Sequence, residues 1–202
     1  MTRDDVELIE KRNLHPGFVR VDRYRLRIPL YQGGLSGELV RDVFDRGRVV
    51  AVLLLDPERD RVVLVEQFRP GPYVAGLEPW LIECVAGIIE QGENEVEVAR
   101  RESLEETGAA VSDLVPLMEF ATSPGACSET VTLFLARVDS RDLGGIHGLA
   151  SEGENIKVLV LPVGEALELL ASGRIVNAKT IIALQWLAAN YADVKRRWPA
   201  PR

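Results

Sequence analysis

Apolar positions recur along the chain with a period that changes several times, and the changes divide it. Residues 1–15 are polar and lack sustained periodicity, so their order depends on docking. Over residues 17–28 apolar and charged positions alternate, with Val19 and Val21 on one side of a break and Tyr24, Leu26 and Ile28 on the other, as in half-buried strands. Tyr31-Gln-Gly-Gly then turns the chain and residues 39–44 return as another strand, so residues 1–46 read as a small antiparallel meander closed by Gly47. From 49 to 55 the apolar run is unbroken, the turn Asp56-Pro-Glu-Arg-Asp follows, and a second run covers 62–68: a hairpin with one strand buried on both faces. Pro and Gly make 70–79 a loop, and 80–87 is one more strand.

Past this point the period lengthens. Val96, Ala99 and Ser103 recur at three- and four-residue steps with Leu104 beside them, which predicts a helix that Gly108 stops. Strands follow at 114–122 and 130–138, joined by a loop through Ser123-Pro-Gly. A polar, Gly-rich segment spans 139–155, a strand 156–163, and helices 165–171 and 178–191 are separated by Gly173. Strands and helices interleave without a regular βαβ rhythm, so the pattern predicts an α+β fold with a mixed sheet and two or three helices. We divide the chain into an arm, 1–46, and a main domain, 47–202.

Composition narrows the chemistry. The 202 residues are 47% hydrophobic and 27% charged, enough for one well-packed core, and the net charge of -7 argues against a general nucleic-acid or anionic-membrane surface. No apolar run approaches a membrane span and the first residues do not read as a signal peptide. The two cysteines, Cys84 and Cys127, fit a reducing cytoplasm better than a disulfide framework.

On the predicted helix Glu102, Glu105 and Glu106 stand at i, i+3 and i+4, so three carboxylates share one face. Like charges at that spacing repel by roughly 0.2–0.5 kcal/mol per exposed pair. Something positive belongs among them, either Arg101 or a divalent cation, for which hard oxygen ligands are suited. A lone Arg-Glu-x-x-Glu-Glu would be read first as a solvated acidic face.

The surrounding spacing changes that balance. Gly87, five residues, Glu93, seven residues, Arg101-Glu102, then Glu105-Glu106 and Gly108 resembles the box of the Nudix hydrolases, with Ser103 and Ala109 where the family usually has bulkier aliphatics. Further stretches are similar to the ADP-ribose pyrophosphatase subgroup: Glu66-Gln-Phe-Arg69, Pro79-Trp-Leu81, Ser123-Pro-Gly125, Gly145-Ile-His-Gly-Leu-Ala150 with its acids, and Ala183-Leu-Gln-Trp-Leu187. Ala126 and Cys127 depart from the Gly-Thr common in that loop.

The resemblance implies an α/β/α sandwich preceded by the meander, and Mg2+- or Mn2+-dependent hydrolysis of ADP-ribose to AMP and ribose 5-phosphate. It implies a metal shell of the Ala86 carbonyl, Glu102, Glu106 and Glu154, with Glu105 assisting and Glu152 as general base. Gly87, Glu93, Arg101 and Gly108 take structural roles in the box, with Arg101 pairing Glu93. Arg41 and Arg69 lie where the resembling enzymes contact the nucleotide, and Phe18 is a stacking candidate for adenine. The resembling enzymes are homodimers whose N-terminal strands exchange, so that Phe18 or Arg41 would serve the partner's site. Rival readings are a pyrophosphatase for another nucleoside diphosphate sugar such as GDP-mannose, and a non-hydrolysing ligand sensor, which the intact acids disfavour.

Overall fold

The computed structural model describes residues 1–17 and 20–199. Contacts within it separate two compact units, one made of Met1–Arg48 with Ala121–Thr130, the other of the rest of the described chain.

The first unit is a three-stranded antiparallel sheet, β1 (Glu7–Pro16), β2 (Arg20–Arg27) and β3 (Leu39–Asp45), in that order. β1 falls where the sequence shows no sustained periodicity. Its pairing with β2 slips between Leu8 and Glu10 and again between Asn13 and His15. Each slip inserts a residue and moves the following side chains to the other face, which erases the two-residue period from the sequence. Charge sets the pairing instead: Glu10 meets Arg25 at 2.9 Å and Lys11 meets Asp22 at 2.9 Å. Val19, expected on an apolar side, lies outside the described residues. The 121–130 loop lies along the end of β3, where the Phe44 N–H donates to the Ala126 carbonyl and the Ser128 N–H to that of Phe44.

The second unit is built on a larger sheet. β4 (Arg48–Asp56) and β5 (Arg61–Phe68) form the expected hairpin, followed by the short α1 (Pro70–Val74), β6 (Trp80–Glu83), β7 (Val85–Ile88) and α2 (Glu95–Thr107). β8 (Asp113–Ala121), β9 (Thr130–Arg137), the two-residue β10 (Ile146–His147), β11 (Ile156–Pro162), α3 (Val163–Ala171) and α4 (Ala178–Arg197) complete it. The sheet runs β10-β11-β5-β4-β9-β8. Successive residues of β4 point to opposite faces: Val49, Ala51, Leu53 and Leu55 pack with Ala166 of α3 and Leu184 and Leu187 of α4, while Val50, Val52 and Leu54 pack with Val98 and Ala99 of α2. A mixed sheet between helical layers is the α/β/α sandwich expected.

Two corrections bear on the site. The 70–79 segment is not all loop, since α1 occupies half of it. The strand expected over 80–87 is two strands that break at Cys84: β6 pairs with the far half of β5, β7 with the near half of β4. The hairpin strands diverge after Val63, and the broken strand fills the opening. Cys84, at the break, satisfies its N–H on the Thr180 hydroxyl at 2.8 Å.

Candidate active site

Local chemistry explains where α2 begins and ends. The Asn94 side chain accepts the Glu97 N–H at 2.9 Å, capping the first turn, and Gly108 adopts φ 72°, a left-handed stop. Of the residues that set the helical period, Ala99 and Ser103 turn to the core and Val96 does not. Val96 and Leu104 are 46% and 58% exposed, and the inward residues are Val98, Ala99, Ser103, Glu106 and Thr107. Ser103 survives full burial because its hydroxyl donates to the Ala99 carbonyl at 2.6 Å, and Ala109 is buried in the core beside α2. Both departures from the box pattern therefore pack.

The inward turn carries Glu106 with it. Glu106 is 3% exposed, and its Oε2 accepts the Ala86 N–H of β7 at 3.3 Å. Glu102, 14% exposed at its side chain, lies against Gly87: a Cβ there would sit 1.9 Å from Glu102 Oε1, so only glycine admits this carboxylate. Arg101 reaches three acids at once, Glu93 at 3.3 Å, Glu102 at 2.8 Å and Glu105 at 3.1 Å. Its charge does not offset the desolvation of Glu102. Desolvation, with the Glu105 charge adding to it, pushes Glu102 up to about 7, and desolvation with the Glu102 charge pushes Glu106 up to about 8.

The second acidic pair lies on the segment before β11. Glu154 is half-buried, its Oε2 accepting the Leu149 N–H at 3.1 Å, and its charge acts on both Glu102 and Glu106. Glu152 ends a single 3-10 turn and is exposed. Gly148, at φ 97°, makes the close approach possible, since a Cβ there would meet that of Glu154 at 2.7 Å. Arg69, at the end of β5, pairs with Glu83 at 2.8 Å. Burial opposes its charge, but Glu83, with Glu106 and Glu154 behind it, keeps the guanidinium charged. Arg41 belongs to the other unit, on β3 opposite Tyr24, where its Nη1 donates to the Val40 carbonyl at 2.8 Å. Phe18 lies outside the described residues.

Among the described residues no three His, Cys, Asp or Glu side chains converge as a ready-made metal cage. The donor set nevertheless fits a hard divalent cation: a buried Glu106 and a half-buried Glu102 of like charge, with Glu154 within electrostatic reach. Glu102 would have to turn from Arg101 to serve.

The description of the NUDIX domain matches residues 45–184, which contain every one of these acids. The chain belongs to the Nudix family. Among its Nudix relatives is the ADP-ribose pyrophosphatase of Escherichia coli K12, 43% identical over 97% of this chain and 94% of its own length. The ADP-ribose pyrophosphatase of Haemophilus influenzae is 39% identical over 98% of this chain and 92% of its own. A GDP-mannose pyrophosphatase of Cronobacter sakazakii is 42% identical over 75% of this chain and 81% of its own. A solved structure described as an ADP compounds hydrolase superposes at a TM-score of 0.69 over 96% of this chain and 97% of its own, at 19% identity, and shares the fold. Among the described residues no helix is long and apolar enough to cross a membrane.

Nothing in the Nudix box points to Glu83, Asn177 or Thr180, yet all three bond polar groups beside the bend that leads to Ala86. An acid in the otherwise apolar run 80–86 is the sequence signal for Glu83. An Asn just ahead of a helical stretch is the signal for Asn177 as a cap.

Proposed function

We propose that the chain hydrolyses the pyrophosphate bond of ADP-ribose, giving AMP and ribose 5-phosphate, in the presence of Mg2+ or Mn2+. The observation that carries the reading is the pairing of the half-buried Glu102, against Gly87, with the buried Glu106, set in a chain similar over nearly its whole length to ADP-ribose pyrophosphatases. The Ala86 carbonyl, Glu102, Glu106 and Glu154 would hold the cation, and Glu105 supports them. When bound, it neutralises the phosphates and lowers the pKa of a water. Arg101 orients the acids from the outer side of α2. Glu152, exposed at its turn, takes the proton of the attacking water as that oxygen joins phosphorus and the bridging oxygen leaves with the other phosphate. Arg69 meets a phosphate group, while Arg41 and Phe18 serve the nucleotide.

Product analysis with ADP-ribose and Mg2+ tests the reading: release of AMP supports it, and undiminished activity in excess chelator removes it. Glu152→Gln is expected to depress turnover with little change in metal affinity, whereas Glu154→Gln weakens metal binding. Identical behaviour of the two variants would show that their roles are wrongly divided. The second reading, GDP-mannose hydrolysis, is favoured by the similarity to GDP-mannose pyrophosphatases, which covers a smaller share of this chain. Release of GMP in preference to AMP from a substrate panel would select it.

Assembly as a homodimer with exchanged N-terminal strands belongs to the same proposal. A three-stranded sheet needs a hydrophobic face or something to pack on for stability, and β1 is exposed along nearly its whole length. Light scattering that finds a monomer at working concentration would remove this part. A reducing compartment, the cytoplasm, suits the two free thiols, of which Cys84 is buried and raised to about 11 by desolvation.

A further inference from the structure

The bend between β6 and β7 carries a chain of polar contacts of which the hydrolytic reading uses only Arg69. Arg69 donates through Nε and Nη2, at 3.0 and 2.8 Å, to a single oxygen of Glu83, Oε2. The other oxygen, Oε1, accepts Asn177 Nδ2 at 2.7 Å. The amide of Asn177 cannot turn round. Its Oδ1 caps α4 by accepting the Thr180 N–H at 3.1 Å, and it faces the Thr180 hydroxyl as well, so only Nδ2 is left for Glu83. The Thr180 hydroxyl in turn accepts the Cys84 N–H. Glu83 is only 2% exposed, so the carboxylate has left water, and the bonds to Arg69 and Asn177 replace what water supplied.

An arginine in this position has competing partners. Glu106 and Glu154 both act on the Arg69 charge, and Arg69 acts on Glu106. A guanidinium that closed on those carboxylates would neutralise the donors a divalent cation needs and would use up its own N–H groups. The pair with Glu83 engages two of the five N–H groups of Arg69, which leaves three outside it.

We propose that Glu83, clamped by Asn177, is a positioning residue that keeps Arg69 off Glu106 and Glu154, leaving the acids to a divalent cation and the arginine to a substrate phosphate. The assignment rests on the cation-dependent hydrolysis proposed above, so its test reads cation binding without substrate.

Mn2+ alone is titrated into the full chain and free Mn2+ followed by electron paramagnetic resonance. Glu83→Gln keeps the shape and the acceptor for Asn177 but removes the charge that holds Arg69. Its affinity for Mn2+ is expected to fall about tenfold, as is usual when support behind a ligand set is lost. Adding Arg69→Ala removes the competitor, so the double variant is expected to bind Mn2+ within about twofold of Arg69→Ala alone, a recovery that a merely structural defect would not give. In turnover assays KM for ADP-ribose rises in Glu83→Gln more than kcat falls. Unchanged Mn2+ affinity in Glu83→Gln, or a double variant as weak as Glu83→Gln, overturns the proposal. If Glu83→Gln does not fold, Asn177→Ser, which retains a capping oxygen for α4 and loses the Glu83 donor, decides in its place: weakened Mn2+ binding supports the proposal and wild-type binding overturns it. A wild-type chain that binds Mn2+ but releases no AMP refutes the hydrolytic reading separately, and one that binds no Mn2+ overturns the positioning role.

Discussion

Acids sit in opposite circumstances in the two units. In the three-stranded sheet they alternate with arginines: Arg23 grips Asp42 at 2.6 Å, Arg25 grips Glu38 at 2.6 Å, and Asp22, shielded by the side chains it bonds, takes Arg20 and Lys11 at 2.9 Å each. Bonding to those cations holds Asp22, Glu38 and Asp42 below the usual carboxylate range. On α2 the acids are gathered, Glu106 buried and Glu102 half-buried, with Arg101 among them, and Glu102 and Glu106 move the other way. Paired charges at successive rungs fix a strand register. Like charges that are buried and underpaired cost stability and are kept where a ligand is to supply the missing charge.

The largest expected effect breaks the gathered acids. Glu106→Gln keeps the size of the side chain and removes its charge, and turnover with Mg2+ should fall at least about a hundredfold, near 2.7 kcal/mol of barrier. The fold should persist, with circular dichroism unchanged. Normal turnover in this variant would remove Glu106 from the site.

Gly87→Ala is next. Its Cβ would overlap Glu102, so that carboxylate must leave its place, and kcat should fall roughly tenfold or more while Arg101 keeps the helix anchored. A kcat within twofold of wild type would show that the position of Glu102 does not matter.

A pH titration of stability separates the two regions without mutation. Glu102 and Glu106 have an ordinary value of 4.5 and rise to about 7 and about 8 when folded, so over that interval the folded chain holds protons that the unfolded chain has released. Their contribution is full below about 4.5 and is lost as pH rises towards about 8, so the metal-free chain should lose denaturant midpoint across that window. Glu106→Gln should flatten the slope, and saturating Mg2+ should do the same. A midpoint that rises over the window in the metal-free wild type would contradict the burial of these acids.

The paired region should respond with the opposite sign and less strongly. The depressed value of Asp22 contributes stability that is present above its ordinary 3.8 and lost as pH falls through the folded value. Asp22→Asn should therefore lower the thermal midpoint, because it leaves Arg20 and Lys11 without their shared acid. Asp42→Asn, at an exposed pair, should change the midpoint less, and the difference should vanish at high salt. Equal effects of the two variants would deny Asp22 any special place in the sheet.

How much could be read without coordinates follows from these same elements. β4 and β5 were legible because an unbroken apolar run admits few other readings, and α2 because a helical period ends at Gly108. β1 was not, because two register slips scatter its faces and its partners are charges distant in the chain. The inward face of α2 was not legible, because this helix buries a carboxylate and two hydroxyls while Val96 and Leu104 stay exposed. The break at Cys84 was invisible because it depends on where β4 and β5 part.

The sequence by itself determined the family and the inventory of chemistry: the spacing from Gly87 to Gly108 is local, and a helix converts that spacing into three acids on one side. Tertiary structure alone decided which acids leave water, with Glu106 deep and Glu152 exposed, and which cation belongs to which acid. Glu83 finds Arg69 fourteen residues away and Asn177 ninety-four away, and no local period encodes such partners. Burial and charge pairing are properties of the surroundings, which distant segments supply only once the sheet has closed around them.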